Sequence, residues 1–366
     1  MSSPVLVVVK IGSSSVTRDG TIDTGALDKL CGEVAQLRNA GTKVVVVTSG
    51  AIASGLPALG LSSDVEHNED VLRAASAVGQ ISLLREFEAS LANHGLLAGQ
   101  VLLAPTDFMF RRRYLKSRAT IAALLELGVV PVINENDAIA DDEIRFGDND
   151  RLSALVAHLI EANLLLLLTD TPGLFTADPR TDESASLIEE IIEIDQTLEA
   201  AAGGPGSAGS KGGMASKLAA AKIATWSGVE TVIAAASRPG VLMEAVSKQS
   251  GVGTRFVARA PRLPARKLWI AFALPAAGRV TVDAGARRAL EEDRRSLLPA
   301  GVRDVVGTFA PEDAVEIADA DGAVFAKGRI RWSSQDLMAH AGKKTGDLPS
   351  DLVDEVVHRD DLVVLP

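Results

Sequence analysis

At 366 residues, 47% of them hydrophobic but only 4% aromatic, the chain is long enough for two domains with cores of Val, Leu, Ile and Ala. A net charge of −11 argues against general affinity for nucleic acid or anionic membranes. The single cysteine, Cys31, excludes an intrachain disulfide. No basic-then-apolar leader opens the chain and no apolar run approaches the ~18 residues of a bilayer span, so the expectation is a cytoplasmic protein with no membrane segment.

Residues 5–9 are consecutive apolar residues, mostly β-branched, and predict a buried central strand. Lys10 ends it, before Ile11, Gly12 and three serines. A strand that releases a lysine into a glycine-serine turn can set backbone N–H groups and one ammonium against a phosphate. The spacing is not the Walker pattern, and a lysine that merely caps the strand is the alternative. Leu27, Leu30, Val34 and Leu37 recur at helical spacing, with Cys31 a small buried hydrophobe on that helix, closed by Gly41. Residues 43–47 predict a second buried strand, leading into Thr48-Ser49-Gly50-Ala51. Its small residues allow close backbone approach, either to a ligand or to a packed neighbour. Residues 70–93 read as a long amphipathic helix, broken or kinked near Gly79. A strand at 96–103 follows, then a helix over 111–127 whose first turns, RRRYLKSR, carry five positive charges and read as a solvated face.

The densest chemistry lies at residues 134–154, NENDAIADDEIRFGDNDRLSA. Seven carboxylates fall within 134–150 (Glu135, Asp137, Asp141, Asp142, Glu143, Asp148 and Asp150) against one base, Arg145. The apolar run 129–133 precedes the stretch as a buried strand, and a helix begins at its end. The acids and amides therefore sit at the carboxyl end of a strand, where open α/β sheets bind ligands. Two Asn–acid clusters flanking Gly147 suit a site that binds an ammonium group or positions a cation.

Five leucines at 164–168 predict another strand, running into Thr169-Asp170. Asp170 either accepts from a nucleoside or caps the turn. Residues 203–213 are glycine-rich and precede a strong helix beginning at Met214, with Lys217 in its first turns. That combination is a candidate phosphate clamp. A strand at 231–235 and a short helix at 240–246 complete this part. The Pro/Arg-rich segment 259–267 marks the domain boundary. Beyond it, short strands at 279–282, 304–308, 314–317 and 324–331 predict a small β-rich domain. Its 12 Lys/Arg against 17 Asp/Glu suit phosphate binding poorly.

Taken in order, the segments around Lys10-Ile11-Gly12-Ser13, Thr48-Ser49-Gly50-Ala51, NENDA, GDND, Leu168-Thr169-Asp170 and Gly212-Gly213-Met214-Ala215-Ser216-Lys217 resemble the amino-acid kinase family. The C-terminal segment is similar to a PUA domain. The resemblance implies an α/β/α sandwich at 1–258, a linker at 259–275 and a β-rich PUA domain at 276–366. NENDA and GDND are similar to the branch that uses ATP to phosphorylate the γ-carboxylate of L-glutamate at the start of proline biosynthesis. Aspartate, acetylglutamate and uridylate kinases, or an RNA-binding PUA protein, are the alternatives.

By motif matching, the resemblance places Lys10 and Lys217 on the transferring phosphoryl group and has Asp150 orient both lysines. Ser49, Gly50, Asn134, Asp137 and Asn149 would hold glutamate. Gly12, Thr169, Asp170, Lys211, Gly212, Gly213, Met214, Ala215 and Ser216 would join the two lysines in binding nucleotide. ATP and Mg²⁺ are the implied cofactors, with no residue assigned as a metal ligand. Homo-oligomerisation and inhibition by proline are inherited expectations. Lys211 departs from the pattern, standing where relatives usually carry a small hydroxyl or glycine. A carboxylate nucleophile with a reference pKa near ~4.3 is already ionised at neutral pH. It needs no general base, and all five histidines lie outside these motifs.

Overall fold

A computed structural model describes residues 4–365 apart from 19–20, 63–66, 140–148, 178–181, 183, 196–197, 199–212, 261–262, 275 and 350–351. The chain divides into two compact units, Met1–Arg262 and Leu263–Pro366.

The first unit is built on an eight-stranded sheet. Its first strand, β1 (Leu6–Ile11), has Val7, Val8 and Val9 fully buried. It pairs in parallel with β2 (Lys43–Thr48) on one side and β5 (Leu164–Thr169) on the other. Runs of β-branched and leucine side chains suit a strand covered on both faces. Outward from β2 lie β4 (Val130–Glu135) and β3 (Ala98–Leu103). Outward from β5 lie β7 (Glu230–Ala235), β8 (Thr254–Phe256) and β6 (Glu190–Ile191). All neighbours are parallel except β8, which runs antiparallel to β7.

Side chains on a strand alternate between faces. Val7, Val9 and Ile11 join a core formed with α1 (Thr24–Asn39), α3 (Glu69–Asn93) and α7 (Val241–Val246). Lys10 shares the parity of Val8 and faces the opposite layer, where α5 (Asn149–Leu159) packs beside α6 (Met214–Trp226). Helix α4 (Arg111–Glu126) reaches α5 through Tyr114, which lies against His158, and Arg118 donates to Glu161, just past the end of α5, at 2.7 Å. Sheet and helix layers make an α/β/α sandwich. No helix among the described residues is long and apolar enough to cross a membrane.

Helix α3 is one continuous helix from Glu69 to Asn93, which corrects the expected break near Gly79. Gly79 serves a close approach instead. A Cβ there would lie 1.8 Å from the carbonyl oxygen of Ala51 in α2 (Ala51–Ala58), and one on Gly55 would lie 1.8 Å from that of Ala75. The two helices touch backbone to backbone, so the small residues after Ser49 answer to helix packing.

The second unit carries a mixed five-stranded sheet of β9 (Ala276–Val282), β10 (Val302–Gly307), β11 (Ala314–Ala318), β12 (Val324–Ile330) and β13 (Val357–Val364), ordered β10-β9-β11-β12-β13. Helices α8 (Ala284–Glu291) and α9 (Ser334–His340) accompany it. Trp332 lies fully buried in its core and donates from Nε1 to the Val353 carbonyl at 3.0 Å. Residues 265–273, read from the sequence as part of the connection, are helical, and Leu268 and Ile270 are buried.

Candidate active site

The parallel register brings the carboxyl ends of β1, β2 and β5 level. Lys10 sits beside Val47 and Leu167, and Ile11 beside Thr48. The chain departs from β1 toward β2 on one side while β5 flanks the other, the switch point at which open α/β sheets bind ligands. Gly12 follows Lys10 and precedes the short turn of helix Ser13–Val16. Gly50, at φ +105°, caps α2 in a left-handed conformation that disfavours any side chain, and it approaches Thr17 and Ser13. The turns after β1 and β2 therefore lie against each other.

Asp150 is the centre of this edge. It lies in the first turn of α5 and is completely buried. Lys10 Nζ pairs with its Oδ1, and Lys217 Nζ with its Oδ2 at 3.1 Å. Ser216 Oγ donates to Oδ2 at 2.9 Å while also reaching the Gly213 carbonyl at 2.8 Å. Both lysines are buried as well, at 4% and 6% exposure. Burial pushes the carboxyl pKa of Asp150 up, but Lys10 and then Lys217 outweigh it and hold the group below the usual carboxylate range. Two ammonium groups thus face one carboxylate, a positively charged trio suited to an incoming phosphoryl group.

Beside the trio lies a cluster of amides. Asn149 Nδ2 donates to the Thr48 carbonyl and, at 2.5 Å, to Asn134 Oδ1. Asn134 Oδ1 also accepts from the Glu135 N–H at 2.9 Å. Asn149 therefore braces the ends of β2 and β4 against the start of α5. Asp137 follows one turn later, and its Oδ2 accepts from Ser76 Oγ of α3 at 2.5 Å. Gln80 Nε2, one turn along the same helix, donates to the Glu135 carbonyl at 3.3 Å. Ser76 and Gln80 were not among the residues the sequence singled out. The signal was present as two polar residues at i, i+4 on the buried stripe of an amphipathic helix. Ser49 and Gly50, half-buried, complete this side.

On the other side, Thr169 Oγ1 donates to Asp170 Oδ1 at 2.9 Å, and the Thr169 carbonyl accepts from the Ala236 N–H at 2.7 Å. Asp170 is exposed at the strand end. Helix α6 opens at Gly213, with Met214, Ala215 and Ser216 half-buried, so the positive end of the helix and its lysine arise together. Lys211 and Gly212, the rest of the glycine-rich segment, and the acids at 141–148 lie outside the described residues. The histidines are occupied elsewhere: His67 at Ser62, His94 at Asp28, His158 at Tyr114, His340 at Asp336 and His358 at Asp360.

Among the described residues, no three potential protein ligands cluster as a metal site. Asp150, the carboxylate at the centre, has both oxygens committed to lysines. Among the described residues, this donor set does not fit a protein-held Mg²⁺.

The Amino acid kinase family model matches residues 5–235, and the PUA domain model matches residues 278–350. A glutamate 5-kinase of Burkholderia multivorans is 45% identical over 98% of this chain and 97% of its own length. One of Geobacter sp. is 45% identical over the same shares. Among solved structures, an isopentenyl phosphate kinase aligns with 69% of this chain and 100% of its own at 21% identity, with a TM-score of 0.47.

Proposed function

The chain belongs to the amino acid kinase family, and we propose that it transfers the γ-phosphoryl group of ATP to the γ-carboxylate of L-glutamate. The products are L-glutamate 5-phosphate and ADP, and the reaction opens proline biosynthesis. One observation carries the reading: Lys10 and Lys217 converge on Asp150 at the sheet edge, directly beside the Asn134–Asn149–Asp137 cluster. The relatives named above match over nearly the whole chain, second unit included.

In this reading a γ-carboxylate oxygen of glutamate forms a bond to the γ-phosphorus as the bond to the β,γ-bridging oxygen breaks and ADP leaves. No proton moves, because the nucleophile is already an anion. The difficulty is holding one anion against another. Lys10 and Lys217 supply positive charge where the phosphoryl group passes. Asp150 fixes both ammonium groups so that they need not reorganise during transfer. The start of α6, with Gly213, Met214, Ala215 and Ser216, would meet the phosphates, joined by Gly12 just past β1 and by Lys211 and Gly212 of the glycine-rich segment. Thr169 and Asp170 take the nucleoside. Ser49, Gly50, Asn134, Asp137 and Asn149 hold the amino acid, with Asp137 as the counter-charge for its ammonium. Mg²⁺ bound to the nucleotide would supply further positive charge at the phosphates.

A cytoplasmic location, self-association as a dimer or tetramer, and feedback inhibition by proline belong to the same reading. Size-exclusion chromatography with light scattering checks the second, and proline titration of the ADP assay the third. The decisive experiment is ADP release with ATP, Mg²⁺ and L-glutamate, with hydroxylamine added to trap an acyl phosphate as its hydroxamate. Glutamate-dependent ADP and hydroxamate are expected. Release driven by aspartate, acetylglutamate or uridylate but not glutamate would overturn the assignment.

A further inference from the structure

We infer that Ser76 and Gln80 of α3 are positioning residues that set the enzyme's demand for the α-amino group of its substrate, acting through Asp137. The inference rests on the functional reading above.

Both side chains are polar and buried, at 2% and 8% exposure, on a helix whose other buried residues include Ala75, Gly79, Leu83 and Phe87. Neither is needed to hold the helix. Leu83, Phe87 and Leu91 anchor it in the core, and Gly79 locks it against α2. Serine in a helix often bonds back to its own backbone. Here both side chains instead reach out to one short segment, Ser76 to the Asp137 carboxylate and Gln80 to the Glu135 carbonyl. That segment leaves the sheet at the end of β4, where a free chain would sample many conformations. It is tied at two points two residues apart.

The Ser76 bond is short and charge-assisted, with the hydroxyl donating to a carboxylate. It occupies Oδ2 and fixes the plane of the group. Among the described residues, Asp137 Oδ1 has no hydrogen-bond partner. The carboxylate is therefore oriented by one oxygen and open at the other, as required for a counter-ion to a substrate ammonium. Without Ser76, Asp137 keeps its charge but loses its direction. The penalty then falls on ligands with an amine, while those lacking one are spared.

The test compares L-glutamate with glutarate, the same dicarboxylate without the amine, used as an inhibitor competitive with glutamate. In Ser76→Ala, the glutamate KM should rise about ten-fold, the loss typical of one charge-assisted hydrogen bond. The kcat, the ATP KM and the glutarate inhibition constant should stay within about two-fold of wild type. Ser76→Thr, which keeps the donor, should restore glutamate affinity, and Gln80→Leu should shift it in the same direction as Ser76→Ala. Adding Ser76→Ala to Asp137→Asn should cost nothing further, since the two act as one unit. Equal losses for glutamate and glutarate, a matching rise in the ATP KM, or additivity with Asp137→Asn would overturn the inference while leaving the kinase reading intact. If Ser76→Ala fails to fold, Ser76→Thr with altered selectivity for the amine overturns it as well. A wild-type chain inactive on every α-amino acid overturns both.

Discussion

Lys10 and Lys217 meet at one carboxylate, each on its own oxygen of Asp150. One lysine comes from the first strand and the other from a helix close to the end of the same unit, so only the finished fold assembles the pair. Asp150 holds both side chains in place, and two ammonium groups against one carboxylate leave the trio a net positive charge.

Replacing either lysine with alanine removes one of the two charges that, in the proposed reaction, would meet the phosphoryl group. Lys10→Ala and Lys217→Ala should each lower kcat by about 10²–10³, the loss typical of one preorganised donor to developing charge. The glutamate KM should change far less. Steady-state kinetics with glutamate varied at saturating ATP checks this, and an unchanged kcat in either variant rejects the role.

Asp150→Asn keeps the shape but leaves two buried ammonium groups with no carboxylate between them. Breaking a buried pair by removing one partner costs about 3–5 kcal/mol. The variant should unfold at lower urea concentration by that margin and lose activity along with it. A variant as stable as wild type would mean that water reaches both lysines.

The pH dependence has a definite sign. The pKa of Asp150 is depressed in the folded protein, so its stabilisation is fully present above the unfolded carboxylate value of about 3.9. It is lost only as pH falls through the lower folded value. The difference in unfolding free energy between wild type and Asp150→Asn should therefore be flat from about pH 8 to 5. A difference already shrinking at about pH 6 would mean that Asp150 is protonated near neutrality.

Gly79→Ala would push a methyl group against the Ala51 carbonyl. Overpacking of this kind costs about 1–3 kcal/mol. At about 2–4 °C per kcal/mol in a unit of this size, the melting temperature should fall by several degrees. Ala74→Gly, one helical position from the exposed side of the same helix, should cost no more than about 1 kcal/mol. Calorimetry of the two separates backbone contact from helix propensity.

Cys31 should be inert. Its thiol lies 1% exposed between α1 and α3, and burial pushes its pKa up to about 11. Iodoacetamide at mildly alkaline pH should leave the native protein unlabelled under conditions that fully label it in urea, as mass spectrometry would register.

Strand ends were the legible part of this molecule. Lys10, Thr169 and Asp170 each follow an unbroken apolar run, and such runs are buried strands with few alternatives. Asn149 and Asp150 open a helix whose buried face is plain in the sequence. Ser76 and Gln80 were not singled out, because periodicity tells which side of a helix is covered but not what covers it. Gly79 suggests a break or kink for the same reason, since the partner that requires a glycine lies on a different helix. β13 went unread because residues 357–364, VHRDDLVV, interrupt their apolar pattern with charge, although Asp361 is buried against Arg266. The antiparallel turn of β8 against β7 is a tertiary choice that three residues cannot announce.

The contact between Gly55 and Gly79 has a consequence for chain-length selection. Ser49 and Gly50 hang at the head of α2, and Asp137 is tethered to α3, so neither helix can slide past the other without driving one carbonyl into its neighbour. Under the proposed function, the interval between these two groups would act as a gauge. An amino acid gripped there at its amine would present its distal carboxylate at a distance set by its own methylenes. A side chain one carbon shorter than glutamate would then stop short of the phosphorus, and aspartate would be rejected without contact to the carbon it lacks.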